Sequence, residues 1–445
     1  MNTSDTITAP ASGTGGAITV IRISGPRAVE IADAVWKGKR PLAGAEPRKM
    51  FLGKVGADPT LAVCMKAPAS YTGDDVVELQ CHGGAVAADN VLRRLLAAGC
   101  RMAEPGEFTF RAFINGKLDL AQAEAVSDIV SSGSAAAFDL AQRQLAGALS
   151  ARLNGLCDRV DALRSECEAR LDFPDEELDF SPDARLAAAC AAVADDAKAL
   201  LATREIGRQL REGVEAVIAG RPNAGKSSLL NRLLGYDRAI VSALPGTTRD
   251  TVEARTVLAD IPVILTDTAG LRESADPVEK LGVERSRRSI AASQVTFGVI
   301  DATSGSGAEA LDELRRSGAK NLIAVWNKAD LVPGFVPPPA DLPQVTVSAA
   351  TGEGMESLIE AFARIIHAGR GTGPLPDAAV NARMAGLLEQ ALAALKDAEN
   401  RLAAGEHELA AADLAEASRR FGETVGRTTS PDLLDAVFHK FCIGK

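Results

Sequence analysis

The sequence is short of aromatic residues, of positive charge and of long apolar runs, and each shortage removes a class of protein. Phe, Tyr and Trp together make up 4% of the 445 residues. The cores must therefore be built from Leu, Val, Ile and Ala, within an apolar share of 46% that suffices for more than one core. The formal net charge is −10. Phosphate backbones repel such a chain, so an RNA substrate would need a local basic patch or a basic partner. The seven cysteines, Cys64, Cys81, Cys100, Cys157, Cys167, Cys190 and Cys442, are odd in number and include no C-x-x-C pair. That argues against both a disulfide framework and a zinc site. Met1–Pro10 has neither a basic run nor an apolar core, so no secretory leader is expected. The Ala-rich stretch 187–202 carries Asp195, Asp196 and Lys198 and is too polar to span a bilayer. A cytoplasmic protein with no membrane partner is expected.

A chain of 445 residues exceeds one core, and about two to four domains are expected. Residues 1–118 alternate strand-like and helix-like runs and read as a small α/β domain. Ala17–Ile23 is a strand, Gly25-Pro26 opens a helix to about Trp36, Asp75–Cys81 is a second strand, and Val86–Ala98 is an amphipathic helix stopped by Gly99. Gly83-Gly84 fits either a ligand-facing backbone or a plain turn. From Leu118 the period becomes helical. Leu149, Leu153, Leu156, Val160, Leu163 and Cys167 follow the four-three spacing of a packed seam. The acidic run Asp175–Asp179 reads as a solvated connector, and one long helix is expected from about Pro182 to Arg211. Residues 371–445 are helical again, with Val380, Met384, Leu387, Ala391 and Leu395 on one face and Leu414, Ala417, Phe421 and Val425 on another. So few residues make a thin core alone. They are expected to complete the bundle of 119–212, with residues 213–370 inserted as an α/β domain.

The inserted domain carries the most specific signal. Gly220-Arg221-Pro222-Asn223-Ala224-Gly225-Lys226-Ser227 fits G-x-x-x-x-G-K-[ST] at every fixed position. The strand Val214–Ala219 precedes it and a helix from Ser228 follows, the context a phosphate loop requires. Backbone N–H groups and a helix N-terminus carry the positive partial charge that binds phosphate. Contacts are expected from Asn223, Ala224, Gly225, Lys226, Ser227 and Ser228, with Lys226 on the β- and γ-phosphates and Ser227 on Mg²⁺. A glycine-rich turn with no ligand also fits this motif alone, but four further elements follow in the order a guanine-nucleotide domain needs. Gly246-Thr247-Thr248 is a switch loop in which Thr248 closes on Mg²⁺. Asp267-Thr268-Ala269-Gly270 ends a strand, with Asp267 reaching the magnesium through water and Gly270 turning its N–H to the γ-phosphate. In Asn327-Lys328-Ala329-Asp330, Asp330 can accept two hydrogen bonds from guanine N1–H and N2–H₂, a donor pair that adenine lacks. Ser348-Ala349-Ala350 can offer a backbone N–H to guanine O6. Leu271 stands where many GTPases place a water-orienting Gln, and no arginine finger is evident. Glu273, Asp276 and Glu279 are the carboxylates within reach, although spacing alone makes each a solvated loop charge.

These stretches make the chain resemble one family closely, the tRNA modification GTPases called MnmE or TrmE. The likeness runs through Arg22-Ile23-Ser24-Gly25, Glu78-Leu79-Gln80 with His82-Gly83-Gly84, Pro105-Gly106-Glu107-Phe108, Lys117–Ala125, Asp172–Glu177, the phosphate loop and the terminal Phe441-Cys442-Ile443-Gly444-Lys445. The resemblance implies an N-terminal tetrahydrofolate-binding and dimerisation domain, a discontinuous helical domain and an inserted G domain. It implies a homodimer that works in a heterotetramer with the FAD-dependent partner MnmG (GidA). Together they would add a carboxymethylaminomethyl or aminomethyl group at C5 of the wobble uridine, U34, of certain tRNAs. A 5,10-methylene- or 5-formyl-tetrahydrofolate is the implied one-carbon carrier, with the tRNA held mainly by the partner. By the family pattern Arg22, Glu78, Lys117 and Lys445 lie at the folate. Asn223, Ser242, Leu244 and Thr247 ligate K⁺ within the loop Ser242-Ala243-Leu244-Pro245-Gly246-Thr247, which Pro245 stiffens, and Glu279 positions the attacking water. Cys442 is either a small packed thiol or a group near the folate that supports the modification. The other class weighed, a ribosome-assembly GTPase that binds rRNA, should carry a KH-like domain with a basic G-x-x-G loop after the G domain.

Overall fold

The structure, a computed structural model, describes residues 3–173, 180–236, 253–267, 288–368 and 376–444. The chain forms two compact units. One comprises Met1–Ser127, Gln144–Lys198 and Gly386–Lys445, and the other Asp128–Arg143 and Ala199–Ala385.

In the first unit β1 (Ile7–Pro10), β2 (Ile18–Ser24), β3 (Trp36–Gly38), β4 (Met50–Val55), β5 (Asp58–Met65), β6 (Val76–His82) and β7 (Arg101–Met102) form one sheet. Its order is β3-β4-β5-β6-β2-β1-β7. The period of two along β2 and β6 decides which side chains meet. Ile21, Ile23, Val77, Leu79 and Cys81 enter a core with α1 (Ala28–Val35) and α2 (Ala85–Ala97). Arg22 and Glu78, directly opposite each other in the antiparallel register, point to the other face. That face meets α3 (Glu107–Ile114), whose Phe108 packs with Ile7, Ala9 and Tyr71. Gly99, at φ 109°, ends α2 while the Cys100 N–H returns to the Leu95 carbonyl.

The unit's helical part holds α6 (Ala148–Asp172), which follows α4 (Leu120–Ser131) and α5 (Ala135–Leu145) in the chain. All six seam residues from Leu149 to Cys167 are buried on α6. Of the later helices, α13 (His407–Val425) lies along α6 and buries Leu414, Ala417, Phe421 and Val425. The expected single helix over 182–211 is instead two, α7 (Asp183–Leu201) and α8 (Arg204–Glu212). Thr203 breaks it: its hydroxyl donates to the Leu200 carbonyl at 2.6 Å and accepts from Val380 N–H at 3.2 Å. A side chain bonded to its own turn competes with the helix ladder.

The second unit's sheet contains β8 (Val214–Ala219), β9 (Glu253–Leu258), β10 (Ile261–Asp267), β11 (Val295–Asp301), β12 (Leu322–Asn327) and β13 (Gln344–Thr346) in the order β13-β12-β11-β8-β10-β9. Every pair is parallel except β9 with β10. A parallel sheet buries both faces and so needs continuous apolar strands. β8 sends Val214, Ala216 and Ile218 into one core and Val217 and Ala219 into another. Helices α9 (Lys226–Tyr236), α10 (Gly307–Arg315) and α11 (Met355–Ala368) cover the sheet. The carboxyl ends of β8, β10, β11 and β12 share one edge, where open α/β sheets bind ligands. After this domain come only helices among the described residues: α12 (Ala382–Ala404), α13 and α14 (Pro431–Phe438). A KH-like domain mixes strands with helices, so the rRNA-binding alternative loses its expected module.

Candidate functional site

Gly220 leaves β8 at φ 152°, and a Cβ there would sit 2.2 Å from the Val299 carbonyl oxygen. Gly225, at φ 93°, would press a Cβ to 2.2 Å from Asn327 Nδ2. The phosphate loop therefore needs both glycines to pass its own neighbours, before any ligand is considered. Between them Asn223 takes a left-handed φ of 60°, which asparagine tolerates better than most residues. The Lys226 side chain curls back under the loop, its ammonium donating to the Gly220 and Arg221 carbonyls at 2.9 Å each. Ser227 and Ser228 are exposed in the first turn of α9.

Buried Asn327 joins two loops. Its Nδ2 donates to the Ala224 carbonyl in the phosphate loop at 3.0 Å, and its Oδ1 accepts from Ala349 N–H at 3.0 Å. Beside it Lys328, at φ 65°, pairs with Asp301 Oδ2 at 2.6 Å. Burial alone would raise the Asp301 carboxyl, but Lys328 and the Thr303 hydroxyl and N–H outweigh it and hold the group below the usual carboxylate range. Ala329 N–H donates to the Val347 carbonyl at 3.2 Å, fastening the short turn Ala329–Leu331 next to the Ser348 loop. Asp330 is exposed on that turn. Ser348 is wholly buried and closes its loop by accepting from Gly352 N–H at 2.8 Å and, on its hydroxyl, from Thr351 N–H at 3.1 Å. The fold thus brings together Asn223–Ser228, Asn327–Asp330 and Ser348–Ala350 at one sheet edge. Ser242, Ala243, Leu244, Pro245, Gly246, Thr247, Thr248, Thr268, Ala269, Gly270 and Glu279 lie outside the described residues, as does the side chain of Asp267. The sequence motifs missed two side chains that brace this site. One is Asp301, whose only signal is its place at a strand end. The other is Arg232, an ordinary arginine within α9.

A second cluster occupies the first unit. Arg22 donates to Glu78 Oε1 from both Nε and a terminal nitrogen at 2.9 Å. Its guanidinium carbon lies 5.3 Å from the Tyr71 ring centre and 5.5 Å from that of Phe108, within cation–π range of both. The Tyr71 hydroxyl meets Thr109 Oγ1 at 2.9 Å, and burial pushes that phenol's pKa up. Exposed Lys117 donates to the Pro68 carbonyl at 3.1 Å, on the same loop as Tyr71. The Arg22–Glu78 pair beside two rings, with Lys117 bonded to the neighbouring loop, offers chemistry for a flat ligand that carries both hydrogen-bond donors and carboxylates.

The terminal segment packs against this domain. Gly106, at φ 72°, donates its N–H to the Cys442 carbonyl at 3.4 Å, and a Cβ on Gly444 would fall 1.9 Å from the Pro10 carbonyl oxygen. Pro10 ends β1, whose Ala9 faces Arg22 in register. Cys442 itself is exposed, so it is not a small buried packing thiol. Lys445 lies outside the described residues. No helix among those residues is long and apolar enough to cross a membrane.

Comparison with known proteins covers both clusters. A family model described as the MnmE helical domain matches residues 120–442, and one described as the GTP-binding protein TrmE N-terminus matches residues 6–117. A protein of Symbiobacterium thermophilum called tRNA modification GTPase MnmE is 42% identical, with 99% of each chain covered. Proteins of the same name from Moorella thermoacetica and Geotalea uraniireducens are 42% and 40% identical, over 99% and 100% of both chains. With the terminal domain and the helical domain each matched, and likeness spread over essentially the full length, the chain belongs to the MnmE (TrmE) family.

Proposed function

We propose that this protein binds and hydrolyses GTP and serves the modification of tRNA, as the names of its relatives state for them. The observation that carries the reading is the buried Asn327 side chain. It ties the phosphate loop to the base loop and leaves the Asp330 carboxylate facing outward beside them. A guanine placed there would give Asp330 its N1–H and N2–H₂ donors, while Lys226 and the N-terminus of α9 would meet the phosphates. Ser227, Thr248 and Asp267 are the residues suited to Mg²⁺, which would offset the charge between β- and γ-phosphates.

The finer reading follows the family pattern. The reaction is the addition of a carboxymethylaminomethyl or aminomethyl group at C5 of U34, carried out with MnmG by a homodimer in the cytoplasm. A tetrahydrofolate would supply the one-carbon unit. Glu78, Arg22 and Lys117 have the chemistry to hold it, Glu78 for the pterin donors and the two cations for the glutamate carboxylates. Removing Glu78 also strips Arg22 of its partner. Glu78→Ala should therefore weaken 5-formyltetrahydrofolate at least about tenfold by calorimetry, the scale of a lost charged hydrogen bond. Equal affinity in variant and wild type would move the folate elsewhere.

Hydrolysis is proposed to use K⁺, held by Asn223, Ser242, Leu244 and Thr247, with Glu279 positioning water. An arginine finger supplies roughly 10³–10⁵ in rate where one is used. A monovalent cation taking part of that role should make turnover at least about tenfold faster in K⁺ than in Na⁺ at equal ionic strength. Asn223→Ala should erase the difference while Mg²⁺-dependent nucleotide binding survives. Equal rates in the two salts would reject the cation and leave Arg249 or Arg272 as the finger.

A further inference from the structure

We propose that Arg232 is a positioning residue for guanine, setting the direction of the backbone that faces the base oxygen; the inference rests on the GTP reading above. Arg232 lies six residues beyond Lys226 on α9, on the helix that begins at the phosphate loop. Leu229 and Leu233 anchor that helix in the core, and Arg232 stands half-buried beside them. Its Nε donates to the Ala349 carbonyl at 3.0 Å, and a terminal nitrogen donates to the Ala350 carbonyl. A guanidinium presents its donors in a rigid fork, so it fixes two consecutive peptide planes together.

The consequence follows from the planar trans peptide, in which the C=O of one residue and the N–H of the next point opposite ways. With the Ala349 carbonyl on Arg232, the Ala350 N–H is turned away from Arg232. The Ala349 N–H already donates to Asn327 and the Thr351 N–H to Ser348. The Ala350 N–H has no partner among the described residues. It is therefore the donor of this loop left for an acceptor such as guanine O6. Asn327 and Arg232 make two struts from the base loop, one to the phosphate loop and one to the helix it opens.

The test compares GTP with 6-thioguanosine triphosphate, which keeps the donors that Asp330 needs and replaces O6 by a poorer acceptor. Arg232→Ala should weaken GTP about tenfold, as for loss of a charge-assisted hydrogen bond. It should weaken the thio analogue distinctly less, so that the preference for GTP shrinks. Arg232→Lys, with a cation but no fork, should restore part of the loss. Unchanged GTP affinity, or equal losses for the two nucleotides as a general loosening of the domain would give, would overturn the assignment. A wild-type protein that does not prefer GTP to ATP would instead overturn the guanine reading beneath it, and the strut with it.

Discussion

Asp330→Asn is expected to exchange GTP for xanthosine triphosphate. In the proposed base site the exposed carboxylate would accept from two base donors. An amide turns one acceptor into a donor, which suits the carbonyl at position 2 of xanthine. The loss for GTP should be about 3 kcal/mol, roughly a hundredfold in Kd. Asn327, Lys328 and Ala349 keep their own bonds in the variant, so the phosphate loop should remain intact. Calorimetry with both nucleotides reads the exchange, and unchanged GTP affinity would remove Asp330 from the base site.

The second large effect lies in the other unit. Arg111 and Glu107 are both fully buried on α3, paired at 3.1 Å. Asp5 closes on Arg111 at 2.6 Å, and Arg101 bridges Asp5 and Glu107 at 2.7 and 2.6 Å. The cluster pins the start of β1 and the strand β7 to the helix that carries Phe108 beneath Arg22. Glu107→Ala would leave the Arg111 charge in the core without its one fully buried carboxylate, facing only the partly exposed Asp5 at 2.6 Å and Asp74 at 3.9 Å among the described ion pairs. Breaking a buried pair from one side costs about 3–5 kcal/mol, a large share of the stability of most domains. Denaturant unfolding should show that loss, and a change under about 1 kcal/mol would mean water enters the cluster freely.

The same cluster gives acid sensitivity a sign. Burial alone raises the Asp5 carboxyl, but Arg101 and Arg111 outweigh it and hold the group below its usual 3.8. A depressed carboxyl stabilises the fold fully above the unfolded value and loses that contribution as pH falls through the folded one. The melting temperature should drop below about pH 4, and Asp5→Asn should flatten the drop. A variant with the wild-type profile would mean that other carboxylates set it.

What could be read from the sequence follows from how locally each feature is encoded. The strands β2 and β6, the helix α2 and the buried face of α6 follow from periodicity, because each needs only its own side chains and one apolar neighbour. The phosphate loop and the Asn327–Asp330 turn were legible because their chemistry fixes residue types at fixed spacing. The break at Thr203 was not, since it depends on a bond to Val380, 177 positions away. Nor was the role of Arg232, which is set by carbonyls more than a hundred residues later. Arg22 and Glu78 are marked by the family resemblance alone, because their meeting depends on the register of β2 with β6, which neither stretch encodes by itself.

Mass spectrometry of tRNA nucleosides tests most directly the proposal that this chain uses GTP to modify the wobble uridine. Cells lacking the gene should lose the C5 carboxymethylaminomethyl or aminomethyl group at U34. The wild-type gene should restore it, and one encoding Asp330→Asn should not. Wobble uridines fully modified without the gene, or restored equally by the Asp330 variant, would contradict the account.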